Sequence, residues 1–173
     1  QRVQVDMKVV PLKCLANPEE RLYQYTAIDE YTRLSYLGAY PEQSAYSSAD
    51  FLEKMVTWFK RRGVRDGIEF TNHFSTNKKD RLTRIELAAA RLGIRHKLIC
   101  PYTPHHNGKV ERSHREDQKR FYNTHRFFSS ADFGVQLAAH QNRSNDLPMR
   151  PLGWLSPKEK LAAFFDSLTV QDI

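Results

Sequence analysis

The chain predicts an α/β fold, and three observations carry that prediction. Residues 3–10 alternate apolar and polar positions and are rich in β-branched side chains, as a strand with one buried face requires. Residues 48–61 set Phe51, Leu52, Met55, Val56 and Phe59 on one side at three-to-four spacing, the pattern of an amphipathic helix. Beyond residue 80, short strand and helix patterns alternate, which excludes an all-β or all-α chain.

The elements follow in order. Residues 3–10 are the first strand, and the stretch to Glu20, with Asn17-Pro18, is a loop. Residues 22–28 and 34–40 form a hairpin-like pair of further strands. Ser47 or Ser48 is the expected cap of the first helix. A second helix runs over residues 81–92 and is stopped by Gly93. Residues 94–99 are a short strand. A turn marked by Pro101, Pro104 and Gly108 leads into a helix over residues 109–122. Another helix spans 130–141, and Ser156-Pro157 opens the last one, to Phe165. The expected organisation is a single domain, residues 1–173, whose final helix starts at about residue 156.

The helix after Gly108 is unusual. From Lys109 to Tyr122 its only aliphatic or Phe residues are Val110 and Phe121, so it lacks the apolar stripe of a core helix. Arg112, Arg115, Lys119 and Arg120 make a polyanion its natural partner, and Glu111 stands one turn before Arg115. A carboxylate among phosphate-seeking bases suits a metal ligand in a DNA-processing enzyme. A solvated helix laced with Glu–Arg pairs has the same composition.

Net charge of +7 and a pI near 9.5 favour an anionic partner, most simply nucleic acid. Cys14 and Cys100 are the only cysteines, too few for a disulfide framework or a zinc knuckle, and the seven His lack partners at zinc-ligand spacing. Reduced thiols in a cytoplasmic protein are the expectation. No signal peptide or membrane-length apolar run is seen. The chain begins within two residues of a strand and reads as an excised core.

The segment Pro101 to Arg115 (PYTPHHNGKVERSHR) resembles the third acidic motif of integrase-core (DDE) transposases, the group of bacterial insertion-sequence transposases and retroviral integrases. Val3-Gln4-Val5-Asp6-Met7-Lys8 resembles the first motif, an acid near a strand end. Ala27-Ile28-Asp29-Glu30-Tyr31-Thr32-Arg33 resembles the second strand and its turn, and Gly67-Ile68-Glu69-Phe70-Thr71-Asn72 the tail of the second acidic motif. Asn142-Arg143-Ser144-Asn145 and Leu155-Ser156-Pro157-Lys158-Glu159 resemble the end of the same domain. The resemblance covers nearly all of the chain. It implies an RNase H-like mixed sheet flanked by helices.

It also implies a chemistry. Family members use two divalent ions, Mg²⁺ or Mn²⁺, to activate water or a DNA 3′-hydroxyl for attack on a phosphodiester, with three converging carboxylates. By position, Asp6 is the bridging ligand, Glu111 the ligand of one ion, and Asp66 the carboxylate nearest the place of the second acid. Asp29 competes with Asp6 but has a turn contact with Thr32 or Arg33 as its plainer role. Glu69 is a weaker substitute for Asp66, and Asp66-Gly67 is also an ordinary turn pair. DNA contacts are expected from Asn107, Lys109, Arg112, Arg115 and Lys119, with Lys8 adding one; His105 and His106 line the approach. The implied partner is DNA, both element ends and target, bound by a homo-oligomer.

One piece is missing. The family pattern places an apolar strand ending in Asp-Asn-Gly before the Glu-Phe pair, whereas only Val64-Arg65-Asp66 separate Gly63 from Gly67. Aligned on Gly67, Arg65 takes the catalytic Asp position and Asp66 the Asn position. A five-residue strand spans roughly 17 Å, which three residues cannot replace. Either residues are missing here or the preceding helix unwinds to supply strand; the central fourth strand is expected to be truncated, and catalysis to be impaired. The alternatives are an inactive transposase remnant that binds DNA without cutting it, and a nuclease on the same scaffold.

Overall fold

Alternation along the first strand sends Val3 and Val5 to one side and Gln4, Asp6 and Lys8 to the other, and both sides are used. The computed structural model describes residues 2–64, 68–72, 83–98 and 107–169. Strand β1 (Arg2–Val9) is antiparallel to β2 (Tyr23–Asp29), which is antiparallel to β3 (Ser35–Tyr40). On its other edge β1 is parallel to β4 (Glu69–Asn72), and β4 is parallel to β5 (Arg95–Leu98). The five-stranded order is β3-β2-β1-β4-β5.

Helices cover both faces, the layering that a sheet with two apolar sides demands. Helix α1 (Ala45–Lys60) and helix α2 (Arg84–Leu92) bury Phe51, Met55, Phe59, Ile85 and Ala89 against Val3, Val5, Tyr25 and Ala27. The closest approach is at Gly38 of β3, where a Cβ would stand 2.8 Å from Phe51 Cδ2, so only glycine fits. On the opposite face, Val10, Leu22 and Leu37 pack with Phe121 and Tyr122 from the continuation of α3 (Gly108–Asp117), Phe127 from the segment after it, and Phe133 and Leu137 from α4 (Ser130–Asp146). Helix α5 (Pro157–Thr169) returns Leu161 to the first core. This is the expected RNase H-like mixed sheet flanked by helices.

Among the boundaries that differ from expectation, three helix ends have a polar reason. Helix α1 starts at Ala45, because Ser44 rather than Ser47 or Ser48 accepts the capping bond, from Ser47 N–H at 3.0 Å. The first turn is polar, so apolar spacing alone misses it. Helix α2 starts at Arg84 behind a Thr83–Glu86 capping box and ends, as expected, on left-handed Gly93 (φ 66°). Helix α4 runs on to Asp146 because its last turns contact the sheet through amides. Leu37 N–H donates to Gln141 Oε1 at 2.6 Å, Ser35 N–H to Asn145 Oδ1 at 2.9 Å, and Asn145 Nδ2 to Ser35 O at 2.8 Å.

Those amides close the exposed edge of β3, which would otherwise leave backbone groups unpaired. Asn145 is 1% exposed. Asn145→Ala strands the Ser35 N–H and carbonyl together, so a loss of about 3 kcal/mol is expected, read as a lower urea midpoint at unchanged m value.

The fourth strand corrects one expectation and its sequence position. No strand precedes Gly67 among the described residues: α1 runs intact to Lys60, without unwinding, and a turn follows. The place beside β1 is filled instead by Glu69–Asn72, the stretch expected to follow the strand. An unpaired central edge of β1 would forfeit backbone hydrogen bonds, and this is the nearby β-prone run that can satisfy it. It is short, pairing only with Arg2 to Gln4, whereas β2 pairs with Val3 to Val9. Arg65, Asp66, residues 73–82, Cys100, His105 and His106 lie outside the described residues.

Candidate active site

Helix α3 is fastened to the Gln4–Asp6–Lys8 side of β1 along its whole length. Gln4 Oε1 accepts from the Lys109 and Val110 N–H groups at 3.0 and 3.2 Å, satisfying two unpaired donors of the helix start. Gln4 Nε2 donates to Glu30 Oε1 at 2.8 Å, and Lys109 Nζ stands 3.3 Å from Glu30 Oε2. One turn on, His114 meets Thr26 Oγ1 through Nε2 at 3.0 Å and lies 3.9 Å from Asp6 through Nδ1. Lys8 Nζ then donates to His114 O and Gln118 Oε1 at 3.2 and 3.0 Å, 4.6 Å above the Tyr122 ring.

The inward stripe is Val110, His114, Asp117 and Phe121, a regular helical spacing in which two of four members are polar. The polar partner expected for this helix is therefore in part the sheet itself, which offers Gln4, Gln24 and Thr26. Asp117 accepts from Gln24 Nε2 at 2.8 Å and lies 2.8 Å from His140 Nε2, and the Tyr122 hydroxyl donates to Gln24 Oε1. From Gln118 to Tyr122 the helix widens to π geometry, which brings adjacent Phe121 and Tyr122 both into the core. Sequence reading missed this network. Its trace was Asp117 at the phase of Val110 and Phe121.

Electrostatics separate the residues of the junction. Burial holds the His114 imidazole below its ordinary range, against the pull of Asp6, so the ring is neutral at pH 7 and adds no positive charge there. Burial likewise lowers Lys8, with Asp117 and Cys14 opposing. The Asp6 side chain is 28% exposed and Glu111 is exposed.

Among the sequence-predicted site residues, Asp6 and Glu111 sit on elements held together by direct hydrogen bonds. Asp66 falls outside the described residues. Arg112, Arg115 and Lys119 are exposed, with Lys119 3.9 Å from Glu116. Lys109 is half-buried against Glu30, and the Lys8 ammonium is engaged with α3. Asn107 is fully buried at the helix start, its amide without a hydrogen-bond partner among the described residues. Asp29 accepts from Thr32 N–H and Oγ–H at 2.7 and 2.6 Å, the expected turn contact. Glu69 is 3.2 and 3.7 Å from Arg2 and Arg95.

Asp6 and Glu111 are hard oxygen donors of the kind Mg²⁺ takes. Among the described residues, however, no group of three Asp, Glu, His or Cys gathers to hold an ion, so the described part does not complete a metal site.

Residues 92–157, which contain all of α3 and α4, match the family described as "Integrase core domain". Over that stretch the chain is similar to the integrase-core family. Its similarity to ORF3 of Spiroplasma virus SpV1-C74, a candidate integrase, is 27% identity over 155 residues, covering 83% of this chain and 40% of that protein. The catalytic core domain of BIV integrase, a crystal structure, has the same fold with TM-score 0.63 and 19% identity, over 99% of this chain and 98% of that one. A chain of the simian T-cell lymphotropic virus intasome in complex with PP2A regulatory subunit B56 gamma, a cryoEM structure, matches at TM-score 0.56 and 17% identity, over 79% and 46%. At these identities the structural likeness is one of fold. The chain thus spans less than half the length of the Spiroplasma virus relative and of the intasome chain. No helix among its described residues is long and apolar enough to cross a membrane.

Proposed function

We propose that this chain is the catalytic-core part of a DNA transposition or integration enzyme, performing metal-dependent phosphodiester cleavage and strand transfer at DNA ends, and impaired in that chemistry. The single domain, residues 1–173, works in the cytoplasm as a homo-oligomer on element ends and target. Asp6, Glu111 and Asp66 are the carboxylates assigned to two Mg²⁺ or Mn²⁺ ions, Asp66 being the displaced one. Arg112, Arg115 and Lys119 hold DNA phosphates, supported by Lys109 and, behind them, by Asn107 and Lys8. The observation that supports this reading most is the docking of α3: Gln4 and Lys8 bond the Glu111-bearing helix to the strand and face that carry Asp6.

A second reading, an inactive core that binds DNA without cutting it, draws support from β4. The strand beside β1 ends on Asn72, an amide and not an acid. The test is strand cleavage and joining on a panel of labelled duplex ends in Mg²⁺ or Mn²⁺, alongside Asp6→Asn and Glu111→Gln. Slow product that vanishes in both variants supports the first reading. DNA binding with no Asp6-dependent product supports the second, and the absence of both binding and product overturns both.

A further inference from the structure

The flank of α3 opposite Glu111 closes a second feature. At 100° per residue, Glu111 and Arg115 lie on one side of the buried stripe and Lys109, Ser113, Glu116 and Arg120 on the other. With the β2–β3 turn and the α4–α5 connection, this second flank encloses a cavity of about 590 Å³. The volume lies within the usual range for a bound small molecule, roughly 300–1,000 Å³.

Its charges are unevenly satisfied. Lys109 is paired with Glu30, Arg120 with Glu116 at 3.1 Å, and His140 with Asp117. Arg33, Arg112 and Arg150 also line the cavity and have no carboxylate partner among the described residues. Arg33 is held at φ 63°, and its buried Nη1 has no hydrogen-bond acceptor among the described residues. Burial lowers its guanidinium from the ordinary value; Glu30 and Asp29 oppose this, and Arg112 adds to it. A guanidinium pressed by burial and by a second guanidinium is a site that an anionic oxygen relieves.

The apolar wall ends in Trp154, which is 69% exposed and is also left-handed, at φ 66° beside Gly153 at φ 67°. A bulky residue is strained in that conformation. Its ring stacks on no other ring or cation among the described residues. A free indole and unpaired guanidiniums around one cavity match the two parts of a nucleotide, a π-faced base and a phosphate.

We infer that this cavity receives one unstacked nucleotide of a DNA strand, its base against Trp154 and its phosphate against Arg33 and Arg112. The inference rests on the proposed action on DNA and adds a site for a single-stranded or splayed end.

The test uses the indole itself. The chain has two Trp, so Trp58→Phe leaves Trp154 as sole reporter. Titration with 5′-phosphorylated octathymidylate should quench Trp154 emission, whereas a blunt duplex of equal length should quench it far less. Trp154→Ala should weaken single-strand binding about ten-fold, measured by anisotropy, with duplex affinity within two-fold. Trp154→Phe should restore most of the loss, which a merely structural role would not predict at unchanged Tm. Single-strand binding without quenching, indifference to Trp154→Ala, or equal quenching by polyglutamate would each overturn the cavity assignment and leave the DNA reading intact. Failure of the unmodified chain to bind either DNA form would overturn both.

Discussion

A chain given an apolar strand ending in Asp-Asn-Gly, inserted between Gly63 and Gly67, is expected to cleave labelled DNA ends about a thousand-fold faster than the chain as it stands. Metal-held charge at the reacting phosphate supplies several kcal/mol of transition-state stabilisation, and each 1.36 kcal/mol is ten-fold in rate. The reasoning runs through the parallel edge of β1, where Glu69–Asn72 now sits, paired only as far as Gln4. A longer apolar strand offers more ladder bonds with β1 and β5 and more burial against α1 and α2, so it displaces the four-residue occupant. Its terminal Asp then reaches the level of Asp6. Arg65→Asp alone adds no strand, and should recover little. Asn72→Asp is the informative comparison, because it puts an acid at the end of the strand that β1 already has. Rates are followed in Mg²⁺ with Asp6→Asn as control against contaminating nuclease. Robust Asp6-dependent cleavage by the unmodified chain would sink the impairment and point to Asp66 as a working ligand.

Replacing Arg112, Arg115 and Lys119 together with Ala should weaken non-specific duplex binding roughly 100-fold at 0.15 M salt and reduce the slope of log K against log salt by about 2.7. Each phosphate contact releases counterions with a slope of about 0.9, and three such contacts are removed. All three side chains are on the exposed flanks of α3, so the Tm should hold. Lys8→Met is the counterpart: its ammonium joins β1 to α3, so the Tm should fall while the salt slope stays close to that of the parent. An unchanged slope in the triple variant would mean that α3 is a solvated face and that DNA is held elsewhere.

How much of this was legible beforehand depends on the range of the interaction. The facing of Val3 and Val5 against Gln4, Asp6 and Lys8 follows from two-residue periodicity, and it came through intact. The α1 stripe and the Gly93 stop are equally local, and they too were readable. The α1 start was missed by a few residues because Ser44, Ser47 and Ser48 are all competent caps, and side-chain bonding within the turn chooses among them.

The contents of the β1 edge could not be read in this way. A strand position is filled by whichever segment satisfies the ladder, and the shortened link before Gly67 handed it to a stretch whose motif spelled something else. Helix α3 shows the same limit: its residues announced polarity, but whether that polarity faced DNA or Gln4, Gln24 and Thr26 depended on the opposing sheet. Arg33 and Trp154 are 121 positions apart and meet at one cavity for the same reason. Local pattern sets which way a side chain points along its own element. What it points at is set by long-range burial and by the demand that every buried backbone and polar group find a partner.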